Sequence, residues 1–367
     1  MNFPTKYHEI LERIQQIDPI KYGETRNYLT GAVTYLSPYI SRGVISTKMV
    51  LDAVLAKGHQ VEEIEDFVKE LSWRDYFQRV GQVRNLALDL KFTQTDVAHQ
   101  EIPSAVVNAQ TGILAIDQSI QQLYSLGYMH NHLRMYTAAL VTNIGKSHWF
   151  LPSKWMYYHL LDGDWASNRC SWQWVCGANS NKKYVANQEN INRFTGMQQH
   201  GSFLDAPYEY LPPKQIPQAL LETCEIRLET QLPTVEKTVV DASLPTFVYN
   251  PYNLDPTWHR EEAGNRILLL DPVFFKEHPV SSNVLHFILE LGKNIDNLQL
   301  FVGSFTELLE THSLGEIYFK EHPLNAGYTG TEEPRDWIST ELTGYFPSFF
   351  AYWKVLKKEL LQKQLHT

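Results

Sequence analysis

The stretch LLDGDWASNRCSWQWVCG, residues 160–177, gathers the side chains best suited to chemistry. Asp162 and Asp164 flank Gly163 among apolar neighbours, Asn168 follows, and the indoles of Trp172 and Trp174 lie close behind. A carboxylate in apolar surroundings needs hydrogen-bond donors, because desolvating it alone is costly. Arg134, or the N–H groups of a bound heteroaromatic ligand, would supply them. A capped loop between two core helices is the other reading of the same residues.

Three further groups share a face by helical spacing or mark a helix start. Glu70, Trp73, Arg74 and Phe77 sit at i, i+3, i+4 and i+7, so one helix side presents an acid, a ring and a guanidinium together. Such a trio recognises a planar polar base, or it is a half-buried face on which Arg74 pairs with Glu70. Asn131, Arg134 and Met135 share a second face by the same spacing. In TYLSPYIS, Ser37 is placed as an N-cap, with Pro38 at the first helical position and Thr34 nearby. A helix start of that kind suits a pyrophosphate, or is simply a helix start.

The elements that must position these groups are helices through residue 200. STKMVLDAVLAKG opens on hydroxyl caps at Ser46 and stops at Gly58; the next helix has Glu62, Glu63, Glu65 and Asp66 early and Arg79 and Arg84 late, as the helix dipole favours. AIDQSIQQLYSLG ends at Gly127 and HNHLRMYTAALVTNIG at Gly145. No alternation of strand type is visible in this half. Prolines then mark a connector over 201–245. Beyond it TFVYNPYNL, RILLLDP and LQLFVGSF are short apolar runs bounded by turn residues, with the helical run SSNVLHFILELGKN before the last. That alternation predicts a small α/β domain with parallel strands, EIYFKEHPL as a further strand and FPSFFAYWKVLKKELLQ as a closing helix.

Composition bounds the rest. With 43% hydrophobic and 20% charged residues over 367, the chain is an ordinary globular sequence large enough for two domains. Nine Trp and twenty Tyr offer many rings for stacking on a planar ligand or on one another. No run of apolar residues is long enough to span a bilayer and no signal-peptide core is present, so the expectation is a cytoplasmic protein. Cys170, Cys176 and Cys224 are too few for a multi-disulfide framework, a four-thiolate iron–sulfur cluster or a Cys-only zinc site, so no metal is expected. Residues 1–200 hold 19 basic against 18 acidic side chains and the remainder 13 against 23, so a polyanionic partner would meet the first part.

The 160–177 stretch resembles the flavin-binding signature of photolyases and cryptochromes, a DGD-x-x-x-N run followed by W-Q-W. The likeness extends in order from about Leu29 to Thr195, through YLSPYISRGVIS, ELSWRDYF and TGILAIDQSIQQLYSLGYMHNHLRM. It implies a mainly α-helical FAD-binding photolyase-like domain over residues 1–200, a linker over 201–245, and a small α/β domain with a closing helix over 246–367. Family members ordinarily carry an α/β domain ahead of the helical part. Here the α/β pattern follows it, as a rearranged version of that domain would.

The resemblance also implies roles. FAD is the cofactor, with Thr34 and Ser37 at its phosphates, Arg74, Asp164 and an Arg134–Asp162 pair among its binding residues, and Asn168 opposite flavin N5. Glu70 would hydrogen-bond a pyrimidine dimer, with Trp73 and Trp174 as aromatic walls, Asn131 near substrate and adenine, and Met135 against the dimer. His132 departs from the pattern, where an arginine that helps bind the lesion is common. Trp172 and Trp149 match the inner and middle members of a tryptophan electron relay, while the outer position falls near Val106, which cannot carry an electron, so photoreduction would use Tyr128, Trp155 or another exposed ring, or be poor. The implied function is a light-driven DNA repair lyase that flips a cyclobutane pyrimidine dimer out of damaged DNA. Phosphate contacts would come from Arg42, Lys48, Lys146, Lys154, Lys182, Lys183 and Arg193. The alternative is a cryptochrome-like photoreceptor that signals to a protein partner, to which the acidic C-terminal portion lends itself. The sequence names no antenna chromophore.

Overall fold

The computed structural model describes residues 2–365. The chain divides into two compact units, each assembled from separated stretches. The first comprises Met1–Ile20, Thr34–Gln82 and Glu229–Thr367; the second comprises Lys21–Val33 and Val83–Leu228. Chain order and packing thus partition the sequence differently. Residues 34–82, read above as part of the helical domain, pack with the stretch that holds the sheet. Five helices bear on function: α1 (Glu65–Val83), α2 (Asn131–Ala139), α3 (Phe150–His159), α4 (Trp165–Cys176) and α5 (Phe349–Leu365).

The first unit is built on a five-stranded sheet of β1 (Thr246–Tyr249), β2 (Asn265–Leu270), β3 (Leu298–Val302), β4 (Ile317–Lys320) and β5 (Thr331–Glu333). Its spatial order is β3-β2-β1-β4-β5 and every pairing is parallel. The residues of β1 and β2 are buried on both faces, which explains why TFVY and RILLL read as continuous apolar runs without alternation. Helices Ser282–Gly292 and Phe305–Thr311 supply crossovers, each opened by a serine whose hydroxyl accepts from the backbone N–H three residues on. Strand order reverses between β1 and β4, with Val248, Ile267, Leu269, Phe305, Leu308 and Phe319 forming a core cluster there. β5 was not expected. It is three residues long and largely exposed, so no apolar run announces it.

The second unit is helical, and Trp149, Trp155 and Trp172 are buried in its core cluster together with the apolar faces of Leu114–Leu126 and α2. Gly127, at φ 68°, closes Leu114–Leu126 in the left-handed conformation that glycine adopts without strain. A π-helical turn, Leu140–Ile144, continues α2 to Gly145. One two-residue antiparallel pairing, Ile102–Pro103 with Thr223–Cys224, also escaped the sequence reading, being too short to show alternation. Among the described residues no helix is long and apolar enough to cross a membrane.

Candidate functional site

The turn before α4 orders the carboxylates. Asp164 is the N-cap of α4, its Oδ1 accepting from Ser167 N at 2.6 Å, so one acid of the DGD run is committed to the helix start. Gly163 between them has no room for a side chain: an added Cβ would lie 3.0 Å from the carbonyl oxygens of both Leu160 and Tyr157. That close approach folds Asp162 inward, where its side chain is 2% exposed. Arg134 Nη2 donates to Asp162 Oδ2 at 2.9 Å, while Arg134 Nε donates to Met129 O at 2.7 Å. A backbone carbonyl therefore fixes the guanidinium that faces the acid. The bond is charge-assisted and partly desolvated, the stronger kind.

One turn into α4, Asn168 Nδ2 donates to Ser153 O at 2.8 Å, so the amide is held by α3 and its carbonyl oxygen is the end turned elsewhere. Asn131 is exposed, and Arg134 and Met135 are half-buried on the open side of α2. His132 turns the other way. It is buried, its Nδ1 lies 2.9 Å from Asn27 O, and its ring packs on Tyr136 and Phe194 at 4.4 and 4.6 Å. Burial lowers its pKa, so it is a neutral packing residue rather than a cationic one. Trp174 is 40% exposed with Tyr184 5.7 Å away, a ring available to a ligand. Trp172 and Trp149 are buried, and Val106 is a fully buried aliphatic.

The remaining candidates belong to the first unit. Glu70, Trp73, Arg74 and Phe77 are all half-buried along α1, whereas Phe67, Val68, Ser72, Asp75 and Tyr76 are buried. Arg74 Nη1 donates to Ser41 Oγ at 2.8 Å. Trp73 stacks on Phe349 of α5 with centroids 3.6 Å apart and planes 10° from parallel. Ser37 is not an N-cap: Leu36 takes that position in helical conformation, and Ser37 is the first residue of a five-residue helix with Pro38 second. The shift arises because Tyr35, at φ 54°, makes the turn one residue earlier. Thr34 Oγ1 accepts a long 3.5 Å bond from Leu36 N. Arg42 is not a surface cation. It is fully buried, with its guanidinium 5.7 Å from the Tyr252 ring, so it cannot contact a phosphate backbone.

Sequence reasoning missed Asp89 and Arg169. Asp89 Oδ1 accepts from Trp149 Nε1 at 2.6 Å. Arg169, fully buried, lays its guanidinium 3.7 Å from the Trp165 ring centroid, 4.1 Å from Phe150 and 5.4 Å from Trp149. The position of Arg169, next to Asn168 and among tryptophans, was the available signal. Asp89 lies in a loop with no pattern to mark it.

Comparison with known proteins gives this arrangement its context. Residues 67–220 match the model of the FAD binding domain of DNA photolyase. The deoxyribodipyrimidine photo-lyase of Alkalihalophilus pseudofirmus is 31% identical over 145 residues, covering 38% of this chain and 30% of that protein. That of Vibrio cholerae is 27% identical over 173 residues, covering 44% and 36%. A bacterial class III photolyase structure from Agrobacterium tumefaciens aligns at 26% identity with a TM-score of 0.43, over 52% of this chain and 43% of its own. The chain spans about a third of the length of the curated relatives it matches. Residues 67–220 are thus similar to the FAD binding domain of DNA photolyase.

Proposed function

We propose that this protein is an FAD-dependent, light-driven DNA repair lyase acting on cyclobutane pyrimidine dimers. The observation that carries the reading is the Arg134–Asp162 pair, its carboxylate buried, at the foot of α4 inside the span matched by the FAD-binding domain. The donor set fits a flavin. A carboxylate held by one guanidinium can still accept from ring N–H groups, and an amide anchored through its nitrogen presents an oxygen acceptor. When bound, FAD supplies the excited-state electron that opens the dimer.

The chain's own residues orient and insulate. Asp162 and Arg134 would hold one edge of the ring system, Asn168 would offer its amide oxygen to it, and the Asp164 cap keeps the α4 start in register. Thr34, Ser37 and Arg74 we assign to the remainder of the cofactor. Glu70 is a hydrogen-bond acceptor for the extruded bases, with Trp73, Asn131, Met135 and Trp174 as its companions in substrate contact. Trp172 and Trp149 form the inner part of an electron relay. Damaged DNA is the partner this function requires.

One observation favours a second reading, a cryptochrome-like photoreceptor with a protein partner. The ring assigned to stack on the lesion, Trp73, already stacks on Phe349. One experiment separates the two. The purified protein is examined for a flavin spectrum, then illuminated with reductant and a UV-damaged oligonucleotide. Dimer loss that slows in Glu70→Ala while the flavin stays bound supports repair. Bound flavin with no dimer loss selects the receptor.

A further inference from the structure

We propose that Asp89 is the proton acceptor for photo-oxidised Trp149, and that this proton transfer terminates the electron relay. The inference rests on the relay role given to Trp149 under the proposed function, and it adds a residue and a step to that reading.

Four observations converge, all within the second unit. The Trp149 indole is fully buried, and its only polar atom, Nε1, donates to Asp89 Oδ1 at 2.6 Å. The carboxylate is fixed for this contact, since Asp89 Oδ2 accepts from Gln94 N at 3.0 Å while Gln94 Oε1 accepts from Trp149 N at 2.9 Å. The Arg169 guanidinium faces the same indole at 5.4 Å, with the His148 ring 5.6 Å away. Finally, Val106, near which the resemblance puts the outer relay position, is a fully buried aliphatic.

A positive charge on Trp149 is therefore poorly placed. It is out of water and close to a fixed cation. An oxidised indole is a far stronger acid than a neutral one, and the carboxylate already holds its proton in a short bond. The step balances as follows. Trp149 gives one electron to oxidised Trp172, which has lost its own to a light-excited oxidised flavin. The Trp149 Nε1–H bond breaks and an O–H bond forms on Asp89 Oδ1. The products are a neutral indolyl radical and a neutral carboxylic acid. Asp89 is half-buried, so the proton can leave to water, and charge recombination then requires its return. A soluble thiol restores the electron and Nε1 regains a proton. Proton transfer thus replaces the third aromatic ring as the trap.

The test is flash illumination of the flavin-loaded full chain with transient absorption, in wild type, Asp89→Asn and Trp149→Phe. Wild type should show a neutral indolyl radical whose formation slows in D2O, a measurement that needs no variant. Asp89→Asn keeps an oxygen acceptor for the indole but not a base. It should show the indole radical cation in place of the neutral radical, lose the isotope effect and recombine faster. The dark-state Trp149 indole N–H resonance, assigned by its absence in Trp149→Phe, should shift in Asp89→Asn while flavin content stays the same. An identical neutral radical in wild type and Asp89→Asn overturns the role of Asp89. A tryptophan radical that persists unchanged in Trp149→Phe overturns the relay assignment itself, a distinct failure.

Discussion

Trp73 and Phe349 are stacked face to face, 3.6 Å between centroids and 10° between planes, and Trp353 continues the parallel arrangement 6.4 Å beyond Phe349. Phe349 is 3% exposed, so this face of Trp73 is covered by the chain's own C-terminal helix. A base that stacks on this face must first displace Phe349. An aromatic pair is worth about 0.5–1.5 kcal/mol beyond its buried area, so removing the competing ring should tighten lesion binding by roughly 2- to 10-fold. Phe349→Leu keeps most of the volume and removes the stack. Titration of a dimer-containing oligonucleotide against wild type and Phe349→Leu checks this. Equal or weaker binding would show that the lesion does not use this face of Trp73.

The Arg134–Asp162 pair predicts a separation of cofactor retention from folding. Asp162→Asn preserves shape and a hydrogen bond but removes the charge that the flavin edge and Arg134 share. A hydrogen bond to a charged group contributes about 1.5–3 kcal/mol, so flavin affinity should fall roughly 10- to 100-fold. Arg134 is 20% exposed at its side chain, and water can solvate it in the variant, so the fold itself should survive. Flavin per chain after gel filtration, set beside the unfolding midpoint, reads both. Full flavin occupancy in Asp162→Asn would refute the pair as a requirement.

Local punctuation was legible in the sequence, whereas distant contacts were not. Ser46 caps its helix by accepting from Met49 N, and Gly127 ends Leu114–Leu126 in left-handed conformation, because such signals need only neighbouring residues. Strands β1 and β2 could be read for a similar reason, because doubly covered parallel strands announce themselves as apolar runs, and β3, a half-buried edge strand, showed the run LQLFV. The mistaken Ser37 cap lay one residue off, set by the positive φ of Tyr35 that no residue type demands. The cover over Trp73 comes from Phe349, far along the chain, and the partner of Trp149 is a loop carboxylate. Neither relation leaves a periodic trace. The grouping of 34–82 with the sheet-bearing stretch was equally hidden, since helical pattern says nothing of which surface a helix meets.

Two buried histidines predict acid sensitivity. Burial, aided for His130 by its neighbour His132 and the nearby Arg134 guanidinium, presses the pKa of His130 down to about 4, and burial alone does the same to His159. Both are neutral in the fold and above pH 6.5 contribute no pH dependence. Between about pH 6.5 and 4 the unfolded chain binds protons that the folded chain does not. Stability therefore falls as pH drops through that window, by up to about 1.4 kcal/mol per pH unit for each histidine. Urea unfolding at constant ionic strength measures the slope. His159→Gln should reduce it, and His130 is the poorer choice because its Nδ1 also caps α2. An unchanged slope in His159→Gln would mean that its ring is not held neutral.

Arg169 sets a desolvated charge against three aromatic rings, and magnitudes decide which effect prevails. Burial presses its pKa to about 9, still well above neutral, so the guanidinium is a cation in the folded protein at pH 7. Nη1 reaches Leu86 O only at 3.5 Å, and Nε and Nη2 have no hydrogen-bond partner among the described residues. Cation–π contacts of this desolvated kind contribute about 2 kcal/mol, while burying an ion without a counter-charge costs several kcal/mol even after relaxation. Arg169→Met retains the stem and places a sulfur against Trp165 and Phe150, so the variant should be more stable by about 1–3 kcal/mol. The gain should be constant below about pH 9, because the cation is present in both folded and unfolded chains there. Thermal unfolding of the two proteins at neutral pH decides it: a large loss of stability in Arg169→Met would show that the rings more than offset the desolvation of the charge.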